Sequence, residues 1–193
     1  MKVKELFLSE ETLEDYSNRL VKTLNIKRLG SGAYAHVFQH PTFSNIVVKV
    51  FTARDKAYKK YLAWCLKHQN NKYVPKIIEA VLVKSEAGDA YTIVFMQKMK
   101  KVSNNKFRAW LEIMFGKKVA DNYDQVNWEK LYGALHKAAS KIKDSDFREV
   151  WDHVLSHGTN RLDLHPGNIM MRGSQVVFSD PVGDDPGDLR VDN

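Results

Sequence analysis

The chain has 193 residues, of which 44% are hydrophobic, and carries 30 lysines and arginines against 23 acidic residues, a formal charge of +7. These are ordinary values for a water-soluble globular chain long enough to bury a core. A single cysteine, Cys65, excludes an intramolecular disulfide and suits a reducing cytoplasm. No apolar run reaches the ~20 residues a bilayer span requires. The start, Met1 to Leu8, holds only three consecutive apolar residues, too few for a signal-peptide core. A cytoplasmic protein is therefore expected.

The charge is unevenly spread. Residues 1–150 carry +11, residues 151–193 carry −4, and no lysine follows Lys143. A basic chain could meet nucleic acid, an acidic partner or only water. A carboxylate-rich end on such a chain adds the possibility of a cation site.

Ser9 followed by Glu10 and Glu11 predicts a helix start, with Leu13, Tyr16, Leu20, Val21 and Leu24 at helical spacing. Strands are predicted over 24–29, 34–39 and 46–51, the first two separated by Gly30-Ser31-Gly32. A helix over 54–68 places Ala57, Tyr61, Trp64, Cys65 and His68 on one face, with Cys65 read as an inert core thiol. Strands over 77–83 and 91–96 flank the polar turn 85–89. Helices follow over 107–115, from Asn127 with a stripe running to Ile142, and from Asp146, where Glu149 completes a capping box. Residues 158–168 are irregular, and strands 169–171 and 175–178 form a hairpin around Arg172-Gly173-Ser174.

Three local patterns carry chemistry. Asp163-Leu164-His165-Pro166-Gly167-Asn168 precedes Asp180-Pro181 by a short hairpin. Asn168 and Asp180 can converge as oxygen ligands of a hard cation, and Asp163 can orient a hydroxyl and accept its proton. Asp and Asn are also ordinary turn formers. Gly30-Ser31-Gly32-Ala33 leading to Val37 can admit phosphate oxygens to the backbone, or can be a plain hairpin turn. Lys49, in Ile46-Val47-Val48-Lys49-Val50-Phe51, can direct a cation at phosphates, although a strand lysine ordinarily faces solvent. His165 can meet a phosphate, meet Asp163 or hold the loop. Lys98, Lys100, Lys101, Lys106 and Arg108 are either a solvated face or a surface for an acidic substrate or partner. Asp184, Asp185 and Asp188 can add to the cation site, although a solvated tail is the ordinary reading, and no histidine or cysteine spacing suits zinc.

In their order along the chain, these patterns resemble the protein-kinase-like superfamily. Residues 163–168 are similar to the catalytic loop in the histidine-bearing form found in aminoglycoside-phosphotransferase-like kinases. Asp180-Pro181-Val182-Gly183 is similar to the D-F-G segment, and Lys49 to the lysine of V-A-I-K. Phe95-Met96-Gln97-Lys98-Met99 is similar to the gatekeeper and hinge. A closer resemblance is to the early serine/threonine kinase family of short-tailed bacteriophages. In that family a glycine loop leads to a His-Pro pair, here His40-Pro41, and D-x-H-x-G-N-I-M is followed by D-P-V. The likeness runs from about residue 29 to 182.

The resemblance implies an α+β, protein-kinase-like bilobal fold. A five-stranded N-lobe would occupy about 24–97, a hinge about 96–100 and a reduced, mostly helical C-lobe about 101–193. It implies ATP and Mg²⁺ as cofactors, and transfer of the γ-phosphate to Ser or Thr of host proteins in the host cytoplasm. Gly30, Ser31, Gly32, Ala33, Val37, Lys49, Met96, Gln97, Lys98 and Met99 would bind ATP. Asn168 and Asp180 would hold the metal, and Asp163, Lys49 and His165 would be catalytic. The chain departs from the family pattern in places. Ala35 replaces the third glycine, Arg161 and Leu162 replace the His-Arg pair, and no glutamate lies inside 54–68, where Asp55 is the nearest acid. Thirteen residues follow Asp180, so no full activation segment is expected. The rival readings are a kinase-like protein that acts by binding a host protein, a small-molecule kinase, and a nucleic-acid binder supported only by net charge. No oligomeric state follows.

Overall fold

The computed structural model describes residues 12–52, 54–84, 90–123, 128–156 and 162–183. The chain divides into two compact units, one of residues 1–59 and 76–98, the other of residues 60–75 and 99–193.

The first unit opens with helix α1 (Leu13–Leu24). Thr12 caps it in a reciprocal box: its side chain accepts from the Asp15 N–H while the Asp15 carboxylate accepts from the Thr12 N–H. The expected start at Ser9 lies outside the described residues. Asn25 ends the helix in the left-handed conformation, φ 48°. Leu24 is therefore helical, and the strand expected over 24–29 is corrected to β1 (Arg28–Ser31). With β2 (Ala35–Gln39), β3 (Ile46–Thr52), β4 (Ile77–Lys84) and β5 (Ala90–Gln97) it forms an antiparallel sheet ordered β1-β2-β3-β5-β4.

The twofold alternation of strands sorts this sheet into two faces. Val48, Val50, Phe38 and Tyr91 pack with Ile26 and with Tyr16, Leu13, Leu20 and Val21 of α1. Tyr16 stacks on Tyr91 at 5.1 Å. Beneath the helix, His36 Nδ1 and the buried Ser17 hydroxyl lie 2.7 Å apart. The opposite face carries Val37, Val47, Lys49, Phe51, Val94 and Met96. Register pairs Val37 with Lys49, Lys49 with Val94, and Val47 with Met96.

Helix α2 (Lys56–Lys67) is capped by Asp55, whose Oδ1 accepts the Tyr58 N–H at 3.0 Å. Its first turn belongs to the first unit and its remainder to the second.

In the second unit, strand β6 (Lys100–Lys101) leads to α3 (Asn104–Phe115), α4 (Lys117–Asn122), α5 (Trp128–Ala139) and α6 (Ser145–Ser156), and then to β7 (Ile169–Arg172) and β8 (Gln175–Phe178). The strands form a sheet ordered β6-β7-β8. Neither β6 nor α4 is legible in the sequence pattern. Ser103 caps α3, and Gly116, at φ +90°, divides α3 from α4. Helix α5 ends before Ile142, which its expected stripe included, and Asn127 lies outside the described residues. The box expected at Asp146 and Glu149 is also corrected. Asp144 Oδ1 caps α6 by accepting from the N–H groups of Asp146 and Phe147 at 3.1 and 3.3 Å. Glu149 instead accepts from Asn71 Nδ2 at 2.9 Å. The core of this unit is aromatic: Phe178 lies amid Tyr73, Trp110, Phe147 and Trp151, with ring centroids 5.9–6.4 Å away. Cys65 is buried, and burial pushes its thiol up to about 12. Among the described residues no helix is long and apolar enough to cross a membrane.

Candidate active site

The loop 162–169 and the segment after β8 are tied together through the backbone. Leu162 bridges Val182, and the Asp163 N–H donates to Pro181 O at 2.9 Å. The carbonyl of Asn168 accepts three hydrogen bonds: from Ser179 N–H at 2.9 Å, Ser179 Oγ at 2.6 Å and Asp180 N–H at 3.1 Å. That single oxygen brings Asn168 and Asp180 together across the hairpin. The Asn168 amide donates to Asp163 twice, to its backbone oxygen at 3.0 Å and to Oδ2 at 2.7 Å. Asp163, Asn168 and Asp180, grouped by their spacing and by the family resemblance, are thus linked, Asp163 and Asn168 through side chains and Asp180 through its backbone N–H.

His165 belongs to the same cluster. Its Nδ1 accepts the Gly167 N–H at 3.0 Å, so the neutral ring carries its proton on Nε2. Nε2 stands 3.6 Å from Asp163 Oδ1. Glycine at 167 is required by this fold-back, since a Cβ there would lie 2.6 Å from His165 Cε1. Asp163 and His165 are both about half exposed, so a ligand can reach them.

The cluster rests on a rigid base that the sequence did not reveal. Phe178, two residues before Asp180, donates its N–H to Tyr73 O at 2.9 Å and accepts the Tyr61 hydroxyl at 2.6 Å. The Tyr73 hydroxyl donates in turn to Asp144 Oδ2 at 3.0 Å. Burial and the adjacent Asp144 carboxylate push the Tyr73 phenol up to about 12. Asp144 is itself raised by burial, but Lys72, the Phe147 N–H and Tyr73 outweigh this and hold it below the usual carboxylate range. Arg172 of β7 donates to the carbonyls of Val74 and Lys72, and burial lowers its pKa. Ser179, adjacent to Asp180 in sequence, carried a signal only in that adjacency. Tyr61 and Tyr73 carried none.

The donor set fits a hard divalent cation. With Nδ2 engaged by Asp163, Asn168 is left with Oδ1 as an oxygen ligand, and its carbonyl holds the backbone of Asp180. Among the described residues no group of three or more His, Cys, Asp or Glu side chains could hold a metal, so the protein alone would supply few ligands.

The remaining predicted residues lie in or beside the first unit. Gly30 and Ser31 end β1, and Gly32 and Ala33 form the turn, closed by Gly32 N–H to Ala35 O at 2.8 Å. Neither glycine has a positive φ, and a Cβ on Gly30 would meet nothing within 4 Å. Lys49 is buried, 6% exposed, in the row Val37–Lys49–Val94, with buried Met96 beside Val47. Gln97 and Lys98 spend their N–H groups on Lys76 O at 2.9 Å and Asn45 O at 2.8 Å, while Lys98 Nζ donates to Gln39 at 2.6 Å. Met99 is half-buried at the start of the second unit.

The family model described as Bacteriophage T7 protein kinase 0.7 matches residues 8–186. The chain belongs to this family. Its α+β, protein-kinase-like fold pairs a five-stranded unit with a mostly helical one. Several solved structures are similar. One is aminoglycoside phosphotransferase APH(4)-Ia, at 15% identity and a TM-score of 0.33, covering 56% of this chain and 39% of that one. Another is a thermostable APH(4)-Ia mutant in ternary complex with AMP-PNP and hygromycin B, at 11% identity, TM-score 0.39 and coverage of 86% and 69%. A third is the streptomycin–ATP–APH(2")-IIa ternary complex, at 14% identity, TM-score 0.35 and coverage of 92% and 74%. The kinase-family chain thus spans well under half the length of the first of these relatives. No curated protein matches it.

Proposed function

We infer that this phage-kinase family member transfers the γ-phosphate of ATP, with Mg²⁺, to Ser or Thr hydroxyls of host proteins in the host cytoplasm. The observation that carries the reading is the Asp163–Asn168–Asp180 cluster, in which one amide orients the carboxylate of Asp163 and one carbonyl anchors Asp180. Asp163 would accept the proton of the attacking hydroxyl, oriented by the 2.7 Å bond from Asn168 and faced by His165. Asn168 Oδ1 and Asp180 would hold the cation. When bound, a divalent cation there would offset the negative charge of the phosphates.

Lys49 would direct its ammonium at the α- and β-phosphates. The open space at Gly30 supports the glycine turn as a place where phosphate oxygens approach the backbone, because the turn itself does not need glycine there. Val37 and Met96 would give the base an apolar wall. With the N–H groups of Gln97 and Lys98 already bonded, Met99 would supply the hinge N–H for the base. Most of the rate enhancement would come from positioning and charge stabilisation. The exposed Lys100 and Lys101 support an acidic surface on the protein substrate.

The test is Mg²⁺-dependent transfer of labelled γ-phosphate to proteins of a host lysate. Asp163→Ala and Asp180→Ala should each abolish it. Transfer that survives both substitutions overturns these roles. The histidine-bearing loop also supports a small-molecule kinase, a reading that labelling of lysate proteins would refute.

A further inference from the structure

Lys49 Nζ lies 3.3 Å from the centroid of the Tyr58 ring, over its face. Both side chains are buried, the lysine 6% and the tyrosine 1% exposed. The ring is well held. Phe51, two residues beyond Lys49 on β3, meets it edge-on at 4.9 Å and 87°, and Asp55 Oδ1 accepts the Tyr58 N–H at 3.0 Å. Helix α2 itself, Lys-Ala-Tyr-Lys-Lys-Tyr-Leu-Ala-Trp-Cys-Leu-Lys, contains no acidic residue.

An aromatic face carries negative electrostatic potential and attracts an ammonium, more strongly where water is excluded. A neutral ring holds the cation in place without itself cancelling its charge. Burying the ring also removes the competing hydration of the ammonium, so its rotamer freedom is lost before a ligand arrives.

We propose that Tyr58 is a positioning residue for Lys49, its ring face holding the ammonium on the Val37–Val94 side of the sheet for a nucleotide's phosphates. This rests on the reading of Lys49 as a phosphate contact.

The experiment compares wild type, Tyr58→Phe, Tyr58→Leu, Lys49→Met and a protein with pentafluorophenylalanine at position 58. That last ring has nearly the shape of phenylalanine, without the negative face. The measurements are kcat/KM for ATP, the thermal midpoint and the shift of the Lys49 ε-methylene in ¹³C-lysine-labelled protein, assigned with Lys49→Arg. The wild-type ε-methylene should be shifted upfield by the ring, and Tyr58→Phe should keep that shift and stay within about threefold of wild-type kcat/KM. Relative to Tyr58→Phe, the pentafluoro protein should lose about 10- to 30-fold in kcat/KM while remaining folded at the assay temperature, the loss expected for a desolvated cation–π contact. Tyr58→Leu should lose the upfield shift and at least as much activity. If it does not fold, the pentafluoro protein decides. A pentafluoro protein as active as wild type, or a wild-type ε-methylene at the ordinary lysine position, overturns the inference while Lys49 keeps its role. If Lys49→Met transfers phosphate at the wild-type rate, the role of Lys49 itself falls and the inference falls with it.

Discussion

Replacing Tyr61 by Phe removes one oxygen from the base of the site and little else. The Tyr61 ring is 1% exposed and stays in place, so the cavity is no larger than a hydroxyl. What is lost is the 2.6 Å bond to Phe178 O, two residues before Asp180, together with the side-chain hydrogen bond to Cys65. Phe178 is fully buried, so its carbonyl has no water to turn to. An unsatisfied buried acceptor costs about 1–2 kcal/mol, equivalent to a fall of about 2–8 °C in thermal midpoint for a chain of this length. The loosened strand end should also let Asp180 move, and a shift near 1 Å can lower turnover by up to about 100-fold. Urea unfolding followed by tryptophan fluorescence measures the first effect. Hydrogen exchange of the Phe178 amide, bonded to Tyr73 O at 2.9 Å, reports the local loosening. Stability within about 0.3 kcal/mol of wild type, with unchanged exchange at Phe178, would refute the idea that this hydroxyl supports the site.

Asp144→Ala should cost about 1–2 kcal/mol by removing the cap of α6, whereas Asp144→Asn should keep most of the cap, and chemical denaturation separates the two. Gly167→Ala should barely change stability, because the half-exposed His165 ring can swing away from the new Cβ. It should lower phosphotransfer about 10- to 100-fold by breaking the Gly167 N–H to Nδ1 bond that aims the ring at Asp163. Burial first, and the charge of Arg28 second, depress the pKa of His36, with Glu14 opposing. A depressed histidine favours the neutral form on folding, so its stability contribution is intact above about pH 6.5 and is lost as the pH falls through the folded pKa. Denaturation at a series of pH values should show this loss in wild type and a flatter profile in His36→Gln.

Local rules determined much of this protein from its sequence. The hairpin at Gly173 was legible because a two-residue turn needs a residue such as glycine at positive φ, here +64°. The apolar stripes of α3 and α6, and four of the five strands of the first unit, were legible because their periods lie within a few residues. The Asp163, Asn168 and Asp180 triad was legible through its spacing and the family it resembles. Position in space was not.

Lys100 and Lys101 have no strand signal and are extended only because Met171 and Met170 pair with them. Glu149 fits a capping box by spacing, yet Asn71, 78 residues away, takes it at 2.9 Å and leaves the cap to Asp144. Composition would turn Lys49 toward water. The register of three strands buries it between Val37 and Val94, and the first turn of α2 lays Tyr58 against it. The residue types and their order were local information, but which polar group meets which was set by contacts far apart in the chain, where pairing energy outweighs local preference.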